Sequence, residues 1–201
     1  MTVYLDDQKV QLEGSNLGAV LVAAKNDLDP AGRIVVEVQL DGQSLIGDDL
    51  ANKQDHAVEG CELRLYSADP KQLGIAALEQ VRAALDEARE HQSQAAELLQ
   101  QDRSADAMEG ITEAFDIWRH VQQAVMQSAA LVGLSLEELE FEGKPFADLT
   151  EALITQLKDL REVLESHDMV ALADVLAYEW PQTVDAWQAM IGKIVSSIEE
   201  T

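Results

Sequence analysis

At Asp69-Pro70 the spacing of apolar residues changes from two to about 3.6, and this one change commits the chain to two kinds of structure. Before it, apolar and polar residues alternate in short runs broken by Asp, Asn and Gly. After it, Ala, Leu, Gln and Glu dominate and glycine becomes rare. An Asp followed by Pro supplies a helix cap and a helix-opening residue together. The expected fold class is α+β, with a small module over residues 1–68 and a helical domain over residues 69–201. A length of 201 residues suits two such units.

In the first module Val3 and Leu5 alternate with polar neighbours, as do Val10 and Leu12, across the turn-like Asp6-Asp7-Gln8-Lys9. That predicts a β-hairpin. Glu13-Gly14-Ser15-Asn16 breaks the strand, and Ser15 or Asn16 can cap the helix that follows. Leu17, Val20, Leu21, Ala24 and Leu28 lie on one helical face, which Asp29-Pro30-Ala31-Gly32 ends. Ile34, Val36, Val38 and Leu40 alternate strictly, with Glu37 and Gln39 facing the other way. Asp41-Gly42 predicts a tight turn. Leu45-Ile46 reads as a short strand, Asp48-Asp49-Leu50 as a turn, and Cys61 to Tyr66 as the last strand.

The order of strand, strand, helix, strand, short strand, strand resembles the ubiquitin-like β-grasp. Asp41-Gly42, Leu45, Asp48-Asp49-Leu50 and Glu59-Gly60 leading into Leu63 and Leu65 carry the resemblance. It implies a protein-binding module that presents an open sheet face. Conjugated and carrier members of that family use a free diglycine tail. Here the final strand runs into Ser67-Ala68-Asp69-Pro70 and a helix, which argues against those roles.

Four helices are predicted in the second part, over about 70–101, 105–131, 146–167 and 169–199. In the first, Leu78, Leu85 and Leu99 form a sevenfold row interrupted by Gln92, with Val81, Ala88 and Ala95 interleaved. In the second, Met108, Phe115, Gln122 and Ala129 share one row and Ile111, Trp118 and Val125 the next, with Phe115 and Trp118 expected at the centre. The third turns Leu149, Leu153, Leu157, Leu160 and Leu164 inward. The fourth carries Leu172, Val175, Leu176, Trp180, Val184, Trp187, Ile191 and Ile194. Pro181 falls inside it and is expected to kink or break it. Short breaks between helices predict an all-α antiparallel four-helix bundle.

The connection from Val132 to Pro145 is rich in apolar residues, Leu134, Leu136, Leu139 and Phe141, and is expected to pack on the bundle or to bind something. The segment Leu149 to Met190, with its break Ser166-His167-Asp168, then Ala171-Leu172-Ala173-Asp174 and a Trp-containing last helix, resembles the flagellin-export chaperone fold. That resemblance implies an acidic bundle holding a partner's helix in a groove.

The charge is −24, from 38 acids against 14 bases. Phosphate neutralisation needs Lys and Arg clusters, so nucleic acid and anionic membranes are disfavoured as partners. A single cysteine, Cys61, fits a reducing compartment and reads as a buried small hydrophobe. With no run of ~20 apolar residues and no basic leader, a cytoplasmic location is expected.

No Glu-x-x-His, His-Glu-x-x-His, paired Cys or glycine-rich phosphate loop occurs. Asp116 and His120 stand one turn apart, a pair too common to imply a metal. Ser166-His167-Asp168 are neighbours on a turn and read as a capping segment, since a triad needs separated segments. No catalytic residue, metal site or cofactor is therefore expected.

The sequence points to a non-enzymatic protein-interaction or chaperone-like adaptor with a protein partner. Trp180, Pro181, Trp187 and Phe141 are the expected partner-binding residues. The rival readings are a homo-oligomer built through the helices, and a small-ligand binder using the polar positions Gln92, Asp116, His120 and Gln122.

Overall fold

A computed structural model describes residues 1–141 and 143–200. The chain is α+β and divides into two compact units, Met1–Leu73 and Gly74–Thr201. The division falls inside a helix that opens at Pro70, a few residues beyond the change of period at Asp69-Pro70.

The first unit is a five-stranded mixed sheet with a helix packed on it. Strands β1 (Thr2–Leu5) and β2 (Gln8–Val10) form the expected hairpin. Asp6 and Asp7 take left-handed backbone in its turn, a conformation Asp tolerates better than bulkier residues. Helix α1 (Leu17–Leu28) is capped by Asn16, whose Oδ1 accepts the Ala19 N–H at 2.9 Å. Strands β3 (Ile34–Leu40), β4 (Gln43–Leu45) and β5 (Glu62–Ala68) complete the sheet in the order β2-β1-β5-β3-β4, with β1 and β5 parallel. Leu17, Val20 and Ala24 of α1 pack against Val3, Val38, Leu40, Leu63 and Leu65 in one core.

Two local expectations change in this unit. Asp48-Asp49-Leu50 is not a turn but the start of the short helix α2 (Asp48–Asn52), whose first turn carries two acids where the helix dipole favours them. The alternation of β3 is broken by a bulge between Val35 and Glu37. An extra residue reverses the facing of everything before it, so Val35 joins the core while Val36 stands 47% exposed.

The turn of the hairpin is tied to the end of β5. Asp6 Oδ1 accepts the Ser67 N–H at 2.7 Å and Oδ2 accepts the Ser67 hydroxyl at 2.6 Å, with the Arg33 guanidinium 3.5 Å away. Burial works to raise the Asp6 carboxyl, but the Ser67 bonds and Arg33 outweigh it and hold its pKa below the usual carboxylate range. Cys61 is half-buried against this core rather than fully buried. Burial and Asp41 push its thiol up, which disfavours the reactive thiolate.

The second unit is a four-helix bundle. Helices α3 (Pro70–Gln100) and α4 (Ser104–Val132) form an antiparallel hairpin. The two helices pack closely: a Cβ on Gly110 would lie 3.4 Å from His91 O, and one on Gly74 3.7 Å from Ser128 O, both ordinary van der Waals contacts. After α4 a 3₁₀ turn (Leu136–Glu138) leads to a two-stranded ribbon, β6 (Glu140–Phe141) with β7 (Lys144–Pro145). Leu134, Leu136, Leu139 and Phe141 of this connection pack on the bundle core. Helix α5 (Phe146–Ser166) ends at His167, which takes left-handed backbone. Asp168 then caps α6 (Met169–Asp174) by accepting the Ala171 N–H at 3.0 Å. Ser166-His167-Asp168 is thus a capping turn.

The last helical stretch runs on from α6 through a π-helical turn (Val175–Glu179) into α7 (Trp180–Glu200). The Trp180 N–H reaches back five residues to Val175 O. The kink or break expected at Pro181 takes the form of this π-turn, which interrupts the regular α-helix just before the proline. Proline has no N–H to donate, and in a regular helix its ring collides with the carbonyl four residues earlier; the wider turn relieves both problems. Arg89 pairs with Asp185 and Gln188 Nε2 donates to Asp86 at 2.9 Å, which sets α3 antiparallel to α7.

One row on α4 is corrected. Ile111, Trp118 and Val125 point inward with Ala107, Ala114 and Val121, while of the other row Ala129 is buried, Met108 is exposed and Phe115 and Gln122 are half-buried. The centre is an indole cluster: Trp118 stands edge-on to Trp180 at 5.6 Å and to Trp187 at 5.7 Å. Phe115 lies edge-on to Trp180 at 5.8 Å, on the rim of that cluster.

Candidate functional site: a groove between two helices

Helix α5 gives the core less than its partners do. Only Leu153 and Leu160 of its 21 residues are fully buried. The side chains next to that inward row, Leu149, Ala152 and Gln156, instead line one wall of an open groove of about 380 Å³. The facing wall is α7, with Gln182, Thr183, Ala186 and Trp187, and Glu179 of the π-turn stands at the same hollow. A second hollow of about 280 Å³ shares Leu149, Ala152 and Ala186 and extends toward the ribbon, where Phe141, Lys144, Pro145 and Asp148 line it. From Pro145 to Gln156 the wall runs on the order of 16 Å, at about 1.5 Å per helical residue, or three helical turns.

The sequence explains why the groove stays open. Ala152, Ala186 and Thr183 are too small to fill the space between the helices. Leu149 and Trp187 supply an apolar floor beneath them. Thr183 Oγ1 donates to Gln156 Oε1, a bond that ties α7 to α5 at the groove. Phe146 packs edge-on to Trp187 at 6.4 Å and holds that indole in place from the ribbon side. Asp148 and Glu179 put two carboxylates on the lining against one cation, Lys144.

Of the four expected partner-binding residues, Phe141 is half-buried and lines the groove, and Trp187, only 1% exposed, backs the lining from the core. Trp180 is 0% exposed, lines neither hollow and packs edge-on to Trp118 in the indole cluster. Pro181 is half-buried and lines neither hollow. Its effect on the groove is indirect, through the π-turn that carries Glu179. Sequence reading missed Leu149, Ala152, Gln156, Thr183 and Ala186 as groove residues. The available signal was small or polar residues beside the inward rows of two successive helices.

The polar positions do not converge. Gln92 is 2% exposed, and among the described residues its Oε1 has no hydrogen-bond partner. The indole N–H groups of Trp118, Trp180 and Trp187 are buried without acceptors as well. Gln122 is half-buried, and Asp116 and His120 are exposed, with Asp116 accepting from Arg119 at 2.8 Å. No cluster of three or more His, Cys, Asp or Glu side chains suited to a metal ion occurs among the described residues. No helix is long and apolar enough to cross a membrane among them either.

Fold and groove define the class: an α+β chain whose helical unit is an acidic four-helix bundle with an open groove between α5 and α7. The chain belongs to a family described as a domain of unknown function (DUF8042), whose model matches residues 76–190, more than half of the chain. The match runs from early α3 to the middle of α7 and includes both walls of the groove. No curated protein and no solved structure matches the chain.

Proposed function

We propose that the chain is a non-enzymatic protein-interaction or chaperone-like adaptor that holds a segment of a partner protein in the α5–α7 groove. The observation that carries this reading is the groove itself: a seam about three turns long, floored by Leu149 and Trp187 and bordered by residues too small to close it. A bundle with no partner gains by filling such a seam with large side chains. The carboxylates of Asp148 and Glu179, on a chain of charge −24, favour a partner segment with basic residues beside its apolar ones. The flagellin-export chaperones are the class this reading resembles, in the sense of an acidic bundle with a helix-sized groove. Work in the cytoplasm fits the same reading.

The sheet order β2-β1-β5-β3-β4, with α1 packed across it, supports a ubiquitin-like β-grasp for the first unit. On this reading it acts as a second protein-binding module.

The test is capture from the source organism's lysate by three full-length baits: wild type, Ala152→Arg and Ala189→Arg. Ala152 lines the groove, whereas Ala189 is exposed on α7 and lines neither hollow. A specific partner retained by wild type and Ala189→Arg but lost from Ala152→Arg supports the reading. Retention by all three places binding elsewhere and rejects it.

A further inference from the structure

Strand β3 is only half covered. It pairs with β5 along its length, but β4 pairs with it from Val38 to Leu40 alone. On the β4 side, therefore, the edge from Ile34 to Glu37 has no strand partner. Beside this edge lies a groove of about 330 Å³ between β3 and α1. Its lining is apolar, with Leu21, Ile34, Val35, Val36 and Leu50 prominent, and Lys25 is its one charged member. Among the described residues Lys25 has no ion-pair partner.

Open edges in natural sheets are ordinarily blunted by Lys, Pro or inward charges, or by a bulge that turns the strand away. Here the bulge does the opposite for side-chain chemistry, because it puts Val36 at the surface at 47% exposure. Three β-branched residues in a row, Ile34, Val35 and Val36, make up all of this edge but its last residue, the exposed Glu37. We infer that the β3 edge is a strand-addition site, taking an extended peptide segment of another protein with β-branched residues at alternate positions and one acidic residue opposite Lys25.

Each part of that description follows from the edge. Unpaired backbone N–H and C=O groups on a strand are satisfied in register only by another extended backbone. Alternate side chains of such a strand fall on the groove side, where the apolar lining accepts them. Lys25 sets the sign of the charge on the groove side, while Glu37, exposed at the end of the edge, lies outside the groove lining and accepts from Gln39 Nε2 at 2.7 Å. A second copy of this chain is disfavoured as the occupant, because each copy carries −24. This site is independent of the helical groove, and either can fail without the other.

The test is a titration of ¹⁵N-labelled full-length protein with a synthetic peptide alternating valine and threonine and ending in aspartate. Amide shifts and slowed hydrogen exchange at Ile34–Glu37 are expected. Val36→Lys, a change at an exposed position, is expected to weaken binding about tenfold, and replacing the peptide's aspartate by lysine to weaken it severalfold. Three results overturn the inference: no change at Ile34–Glu37 at millimolar peptide, equal binding of a peptide of the same composition locked as a helix, or edge shifts that follow protein concentration without peptide. The last identifies a second copy as the occupant.

Discussion

Thr183 and Gln156 meet across the groove, the hydroxyl of one on α7 donating to the side-chain carbonyl of the other on α5. The two residues are half-buried and stand between the pair of alanines and the π-turn. The two walls are thereby tied by a specific bond. Thr183→Val keeps the shape and removes the donor. It is expected to cost about 1 kcal/mol and to lower Tm by roughly 2–4 °C, read by calorimetry. An unchanged Tm shows that the bond contributes nothing to holding the walls.

Gln92 offers a test of opposite sign. Its Oε1 is buried without a partner, so desolvation of that carbonyl is uncompensated by protein. Gln92→Leu is expected to stabilise the protein by about 1–2 kcal/mol, measured by urea unfolding. A loss of stability instead indicates that a buried water or a ligand bonds the amide, and revives the small-ligand reading for this position.

Trp180 is the centre of the bundle rather than part of its surface. Trp180→Ala removes a fully buried indole with edge-on partners in Phe115 and Trp118. A loss of about 3–5 kcal/mol is expected, seen as an early unfolding transition. Tyr178→Ala, at an exposed position on the π-turn, is expected to change stability by less than about 0.5 kcal/mol.

Asp6 gives the pH dependence its sign. Its folded pKa lies below the ordinary value, so the stability it contributes is present above the unfolded pKa and is lost as pH falls through the folded one. Asp6→Asn, which tolerates the left-handed backbone at this turn, is expected to be less stable than wild type at pH 7. The difference between the two should shrink as the pH falls below about 4. Parallel denaturation curves from pH 7 to 3 check it; a constant gap excludes the carboxylate's charge as the cause.

Much of the architecture was legible because punctuation and period agreed. Asp69-Pro70, the break after Gln100 and Ser166-His167-Asp168 each coincide with a helix end to within a residue or two. Helix α1 and its Asn16 cap follow from local chemistry alone. What escaped depends on interactions that period does not encode. The bulge at Val35–Glu37 is a register choice made against β5, and an alternating run cannot announce it. The π-turn is the helix's response to Pro181, where either a kink or a widened turn satisfies the same local rule. Trp180 and Trp187 lie on the same inward stripe of a single helix. Both are buried, at 0% and 1% exposure, and which of them backs the groove depends on where α5 packs.

The most direct test of the central claim is site-specific photo-crosslinking in the native cell. A photoreactive phenylalanine analogue replaces Gln182, an exposed residue of the groove's lining, in one full-length protein and Ala189 in another. A discrete adduct with one partner protein is expected from position 182 and none from position 189. No adduct from 182, or equal adducts from both, contradicts the assignment of the α5–α7 groove as the site where a partner is held.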